Sequence, residues 1–163
     1  MTGPRAPKNP KSCHERALGL LAVRPRSRRE LERRLLAARF EADEVQDVLT
    51  RLERVGLVDD EAFAQQFAEH RFGSRKEGSR AVIQGLRAAG IAPSLAETVA
   101  LDTPGGDDER AADLARSRVS RLTGVPPEKA FARLSSLLMR RGYGPEIARS
   151  AARKALEISL DEG

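Results

Sequence analysis

Three segments of the chain share one pattern at a fixed distance: 31–40 (LERRLLAARF), 82–91 (VIQGLRAAGI) and 134–143 (LSSLLMRRGY). Each has an apolar residue at its first and fifth positions and Phe40, Ile91 or Tyr143 at its tenth, and equivalent positions recur every 51 to 52 residues, as from Leu31 to Val82 to Leu134. A period of this size marks a tandem array of helical units, each of which buries its apolar face partly against its neighbours. Between the apolar positions, spaced three and four apart, lie mainly Arg, Glu and Ala, which is the composition of helices. Aromatics are 4% of the residues and tryptophan is absent, which argues against a sandwich or barrel. The expected fold class is all-α, with three tandem three-helix repeats forming an elongated, curved array.

Stop and start signals place the boundaries. Residues 1–11 hold three prolines, a glycine and three basic residues, so they are expected to be a disordered arm. Repeats are expected at 12–58, 59–103 and 104–163. Ser12-x-x-Glu15 and Ser27-x-x-Glu30 read as capping boxes at the starts of helices over 13–23 and 28–38. Further helices are expected at 42–55, from Asp59 or Asp60 to Phe72, and at 79–89, 93–101, 108–122, 127–141 and 145–159. Gly56, Gly90, Gly124 and Gly142 end four of these, and Pro93, Pro127 and Pro145 open three. Gly105 and Gly106, in the acidic run DTPGGDDE, read as a linker that includes Asp107 and Asp108.

Charge alternates along the chain although the net value is only +5. Residues 1–40 carry 11 basic and 3 acidic side chains, 41–70 carry 2 and 9, and 71–90 carry 5 and 1. Distinct basic and acidic faces suit a partner that is itself charged. Enzyme chemistry finds no support in the sequence. There is no phosphate loop, GxGxxG turn, HExxH helix, GxSxG elbow or Cys/His ligand set. Cys13 is the one cysteine, which rules out an intrachain disulfide and reads as an incidental thiol. His14 and His70 lack nearby catalytic partners and read as surface or capping residues. The expectations are therefore no cofactor, no metal and no catalysis. No apolar run reaches the roughly 20 residues of a membrane span, and no signal-like segment follows the basic N-terminus, so a cytoplasmic monomer is expected.

The stretch 51–71 (RLERVGLVDDEAFAQQFAEHR) resembles the signature of the RecX family of recombination regulators at Gly56, Leu57, Val58, Asp59, Asp60, Phe63 and Ala64. The following run 75–91 (RKEGSRAVIQGLRAAGI) is similar to that family's Lys-Gly-x-x-x-Ile-x-x-x-Leu-x-x-x-Gly-Ile pattern, and the resemblance extends over about 13–158. Two positions depart from it: Glu77 separates Lys76 from Gly78, and Arg39 stands where Gly90 and Gly142 stand in the later units. The arginine suggests a looser end to the second helix. Read from the residues alone, the signature is structural: Gly56 stops a helix, Leu57 and Val58 enter the core, Asp59 or Asp60 caps the next helix, and Phe63 and Phe67 face inward. What the resemblance implies is a regulator that binds RecA nucleoprotein filaments and limits their extension and activity in recombination, DNA repair and the SOS response.

The chemistry left for such a partner lies in the arginines. On a helix repeating at 100° per residue, Leu31, Leu35 and Ala38 define one core face and Val82, Leu86 and Ala89 another, so Arg29, Arg33, Arg80 and Arg87 point outward. Arg29 and Arg80 are equivalent in the repeat, and the four are expected to form one surface shared by the first two units. Arg71, Arg75 and Lys76 at the head of the basic segment 71–90, with Arg140 and Arg141 at the end of the eighth helix, complete the candidate contacts to RecA or to single- or double-stranded DNA. In this picture basic helices meet acidic RecA surface or the bound strand, and the acidic segment 41–70 meets basic surface. The alternative is a stand-alone helical DNA-binding protein that touches the phosphate backbone.

Overall fold

A computed structural model describes residues 11–161; the arm expected at 1–11 lies, except for Lys11, outside the described residues. Among the described residues there are nine α-helices and no strand: α1 (Cys13–Val23), α2 (Arg28–Ala37), α3 (Ala42–Arg54), α4 (Asp60–Gly73), α5 (Ser79–Ala88), α6 (Pro93–Asp102), α7 (Asp107–Val119), α8 (Pro127–Arg140) and α9 (Pro145–Asp161). The expected helix over 108–122 ends at Val119 and closes with a 3-10 turn, Ser120–Leu122. The chain packs as two units divided between Phe63 and Ala64.

In the first unit, α1 to α3 surround Cys13, Ala17, Leu31, Leu35, Val45, Val48, Leu49, Leu52 and Val58. Cys13 is a fully buried core residue, and burial, followed by the nearby Glu44 charge, pushes its thiol above the ordinary value. The face of α2 is narrower than expected, since Ala38 is exposed. In the second unit α7, α8 and α9 enclose Leu114, Leu134, Leu138, Tyr143 and a row of alanines. Small residues there let the helix axes approach closely.

Three residues of the signature stretch depart from the expected inward packing. Leu57 is exposed, and Val58 alone of the pair enters the core. Phe63 and Phe67 are only half-buried; the inward face of α4 is Ala64, Ala68 and Phe72. Gly85 on α5 explains Phe67, because a Cβ there would come within 2.9 Å of the ring. The ring lies across α5 at the gap that glycine leaves.

The end of α2 is as tight as those of its counterparts. Arg39 adopts φ 67°, its N–H donates to Leu36 O at 2.9 Å, and Phe40 N–H donates to Leu35 O. Gly90 and Ile91 make the equivalent bonds to Arg87 and Leu86. The turn is the same; an L side chain simply bears the left-handed strain, worth about 1 kcal/mol. Arg39→Gly is therefore expected to stabilise the first unit by up to about 1 kcal/mol, checked by urea unfolding, with the turn unchanged.

Candidate functional site

The starts of α1 and α2 show how the basic surface of the first unit is organised. Ser12 and Glu15 form the full expected box. At α2 the Ser27 hydroxyl accepts from Glu30 N–H at 3.1 Å, but the Glu30 carboxylate is taken up elsewhere. Its Oε1 accepts from Arg24 at 2.6 Å, Arg26 at 2.7 Å and Arg34 at 3.0 Å. Arg26 and Glu30 are buried, whereas Arg24 and Arg34 are about half exposed at 48% and 47%. Burial alone would raise the Glu30 pKa, but the bonds from Arg26, Arg24 and Arg34 outweigh it and hold the carboxyl below its ordinary value. One carboxylate thus fixes three guanidinium groups beside the exposed Arg29 and Arg33. The sequence reading passed over this cluster, although Arg26, Glu30 and Arg34 lie at the i,i+4 spacing at which helix neighbours pair.

The two signature aspartates have different roles. Asp59 caps α4 by accepting from Ala62 N–H at 3.0 Å. Asp60 reaches back to accept from Arg28 N–H at 2.9 Å, so it serves the first amide of α2. Gly56 carries the left-handed turn before them, φ 78°.

The second unit repeats the device. Asp107 at the start of α7 accepts from the N–H of Ser79, at 3.1 Å, and from its hydroxyl, at 2.9 Å. It also pairs with Arg110 at 3.2 Å, whose guanidinium stacks on the Phe72 ring 3.8 Å from its centroid. Asp107 is therefore part of the fold rather than of a linker, and α7 begins one residue earlier than expected.

The end of α8 crosses the start of α5 at the same place. Gly78 N–H donates to Arg141 O at 2.7 Å, Arg141 Nη1 donates to Arg75 O at 2.6 Å, and Tyr143 Oη donates to Lys76 O at 2.7 Å. Burial foremost, then the Asp107 charge, pushes the Tyr143 pKa up to about 12, so the phenol keeps the proton it donates. The chains touch through backbone: a Cβ on Gly78 would lie 2.5 Å from Gly142 O, and one on Gly142 2.3 Å from the Ala81 Cβ. Lys76 turns the loop at φ 53°, and the inserted Glu77 is held by Arg71 at 2.8 Å. Arg71 also stacks on Phe67, 4.7 Å from its centroid.

Of the candidate contact residues, Arg29, Arg33, Arg75, Lys76, Arg80, Arg87 and Arg140 are exposed, and Arg71 and Arg141 are partly buried. The structure gathers Arg75, Lys76, Arg80 and Arg141 at the α5–α8 crossing, with Arg140 next to it on α8. Arg87 stands apart in the last turn of α5. Among the described residues no group of three His, Cys, Asp or Glu side chains could hold a metal ion, and no helix is long and apolar enough to cross a membrane.

Residues 13–52 match the family description "RecX, first three-helix domain" and 59–99 match "RecX, second three-helix domain". The chain is 35% identical over 142 residues to the regulatory protein RecX of Streptomyces coelicolor, covering 86% of this chain and 75% of that protein. The regulatory protein RecX of Mycolicibacterium smegmatis is 36% identical over 150 residues, with 86% and 80% covered. The chain belongs to the RecX family. The crystal structure of RecX from Lactobacillus salivarius superposes with a TM-score of 0.78 at 19% identity, covering 88% of this chain and 94% of that one, and so shares the fold. A second RecX crystal structure gives 0.74 at 21% identity, with 85% and 70% covered. The RecX relatives are thus regulatory proteins by name, built on the same all-α helical repeat.

Proposed function

We propose that this chain regulates RecA by binding its nucleoprotein filament and limiting filament extension, without catalysing a reaction itself. The observation that carries the reading is the ordered basic face of α2, where buried Glu30 organises Arg24, Arg26 and Arg34 next to exposed Arg29 and Arg33. Its setting in a family of regulatory proteins supports it. Guanidinium groups held in place lose less entropy when they meet carboxylates, and their fork suits bidentate pairing. The same unit exposes Leu18, Val23, Leu36, Val55 and Leu57, the apolar component that a protein interface needs beside its charges. Arg80 and Arg87 supply the equivalent outward positions on α5. The chain acts in this reading as three successive units, 12–58, 59–103 and 104–163, whose separate contacts add in avidity.

The test is RecA ATPase activity on single-stranded DNA, titrated with this protein. Arg29→Glu with Arg33→Glu is expected to weaken inhibition about tenfold or more, equal to about 1.4 kcal/mol, as each attraction becomes a repulsion. Both residues are exposed, so the fold is expected to change by no more than about 0.5 kcal/mol. The exposed Asp108→Lys serves as the charge control; Asp107 cannot, because it caps α5. Undiminished inhibition by the double variant would refute the assignment to α2, and no inhibition by the parent would refute the function.

A further inference from the structure

Three serines of the chain have an arginine three residues before them: Ser27 after Arg24, Ser74 after Arg71 and Ser136 after Arg133. Charge at a fixed distance from a hydroxyl is one of the patterns by which a protein kinase selects a serine. The fold treats the three very differently. Ser27 is fully buried, and its hydroxyl accepts from Glu30 N–H at the cap of α2. Ser136 is half-buried in the middle of α8, where the backbone is closed in helical bonds. Ser74 is exposed and stands in the irregular stretch 74–78 between α4 and α5. Nothing comes within 4 Å of the Cβ position of Gly73 beside it, so the approach to the loop is open. Arg75 and Lys76, both exposed, follow at once.

The surroundings of Ser74 also suit the group it would carry. Arg71 is held to Glu77 through Nη1 alone, at 2.8 and 2.9 Å, and Arg75 stands 3.8 Å from the same carboxylate with its side chain 56% exposed. Arg71, Arg75 and Lys76 thus set three positive charges against the one carboxylate of Glu77. A phosphate ester there, of about −2 charge, balances the excess and brings three strong acceptor oxygens to guanidinium groups that have donors to spare. The end of α4 opposes an anion with about half a negative charge, which the three full cations outweigh. The loop also holds the acceptors of the α5–α8 crossing: Arg75 O takes Arg141 Nη1, and Lys76 O takes the Tyr143 hydroxyl. A change of charge at Ser74 therefore reaches the end of α8.

We propose that Ser74 is a phosphorylation site for an arginine-directed serine/threonine kinase, and that its phosphate neutralises the basic loop 71–77. In the step, Ser74 Oγ attacks the γ-phosphorus of a nucleoside triphosphate. The bond from that phosphorus to the β,γ-bridging oxygen breaks, the nucleoside diphosphate leaves, and the hydroxyl proton passes to the catalytic aspartate of the kinase. The inference goes beyond the regulatory reading and does not depend on it. The folded full chain is incubated with ATP and the catalytic subunit of cyclic-AMP-dependent protein kinase as an arginine-directed probe, and modified residues are located by peptide mass spectrometry. Uptake is expected at Ser74, with Ser27 and Ser136 at least about tenfold slower because each must first open locally. Ser74→Ala, an exposed and conservative change, is expected to take up less than about a tenth of the phosphate of the parent. In the modified chain, phosphorus NMR is expected to place the second phosphate pKa below its ordinary value of about 6. Arg75→Gln with Lys76→Gln is expected to return it toward that value, since the neighbouring cations are what favour the dianion. A synthetic peptide spanning 69–79 is the control for the sequence itself. The proposal is overturned if the folded chain is not modified at Ser74, whether or not the peptide is. It is overturned equally if Ser27 or Ser136 is modified first, or if the phosphate pKa is not lowered. RecA is absent from the reaction, so none of these outcomes bears on filament regulation.

Discussion

Gly142→Ala is expected to destabilise the second unit by about 3 kcal/mol, lowering its thermal midpoint by about 15 °C. Two effects combine. Gly142 sits at φ 94°, where a side chain costs about 1–2 kcal/mol. Its Cβ would also stand 2.3 Å from the Ala81 Cβ and 2.6 Å from the Ala81 nitrogen, so α5 and α8 must separate at the crossing. Separation breaks the bonds from Gly78 to Arg141 O, Arg141 to Arg75 O and Tyr143 to Lys76 O. Gly19→Ala is the matched control. It lies within α1 with nothing within 4 Å of its Cβ position, and is expected to stabilise the first unit by about 0.5–1 kcal/mol. Amide exchange distinguishes the two, since the loss in Gly142→Ala should be confined to the second unit. Normal protection of α5 and α8 in that variant would show that the crossing is loose.

Glu30→Ala is expected to cost the first unit about 3 kcal/mol, measured by urea unfolding at neutral pH. The variant leaves the buried Arg26 guanidinium with one acceptor, Leu20 O at 3.1 Å, in place of two. The value sits at the low end for a broken buried pair because Arg24 and Arg34 are half exposed and can turn to water. The pH dependence has a definite sign. The folded pKa lies below the ordinary 4.5, so the stabilisation is whole above that value and is lost as pH falls through the lower folded pKa. The gap between parent and Glu30→Ala should therefore be constant near neutrality and close in acid. A gap that widened in acid would mean that Glu30 is not the group holding the arginines.

The helices were legible because their signals are local. Serine, glycine and proline at the ends set the boundaries to within a few residues, and the three-and-four spacing set the core faces of α2 and α5. What escaped depends on neighbours distant in sequence. Leu57 carries the same apolar signal as Val58, yet only the packing of α3 against α1 and α2 decides which of them is covered. Phe63 and Phe67 have helical spacing for an inward face, but the small residues Ala64 and Ala68 let the helices come closer and displace the rings to the flank. Arg39 hides a turn that sequence marks with glycine elsewhere. At the candidate site, outward orientation was readable for Arg29, Arg33, Arg80 and Arg87 from the helical repeat alone. The gathering of Arg75, Lys76, Arg80 and Arg141 was not, since it follows from a backbone crossing between residues more than 60 apart. Asp107 looked like linker because the group that donates to its carboxylate, Ser79, lies 28 residues upstream.

The caps that reach backwards bear on how such a chain is made. A ribosome delivers the polypeptide from its N-terminus at about 5–20 residues per second. The first amide of α2 meets its acceptor only when Asp60 has emerged, 32 residues later, and that of α5 waits 28 residues for Asp107. Each helix is thus completed within seconds by the opening residues of a later one, while the nascent chain is still growing. Loops of this length close cheaply. Pro127 opens α8 with a ring nitrogen that has no hydrogen to donate, so this helix waits for nothing downstream at that position.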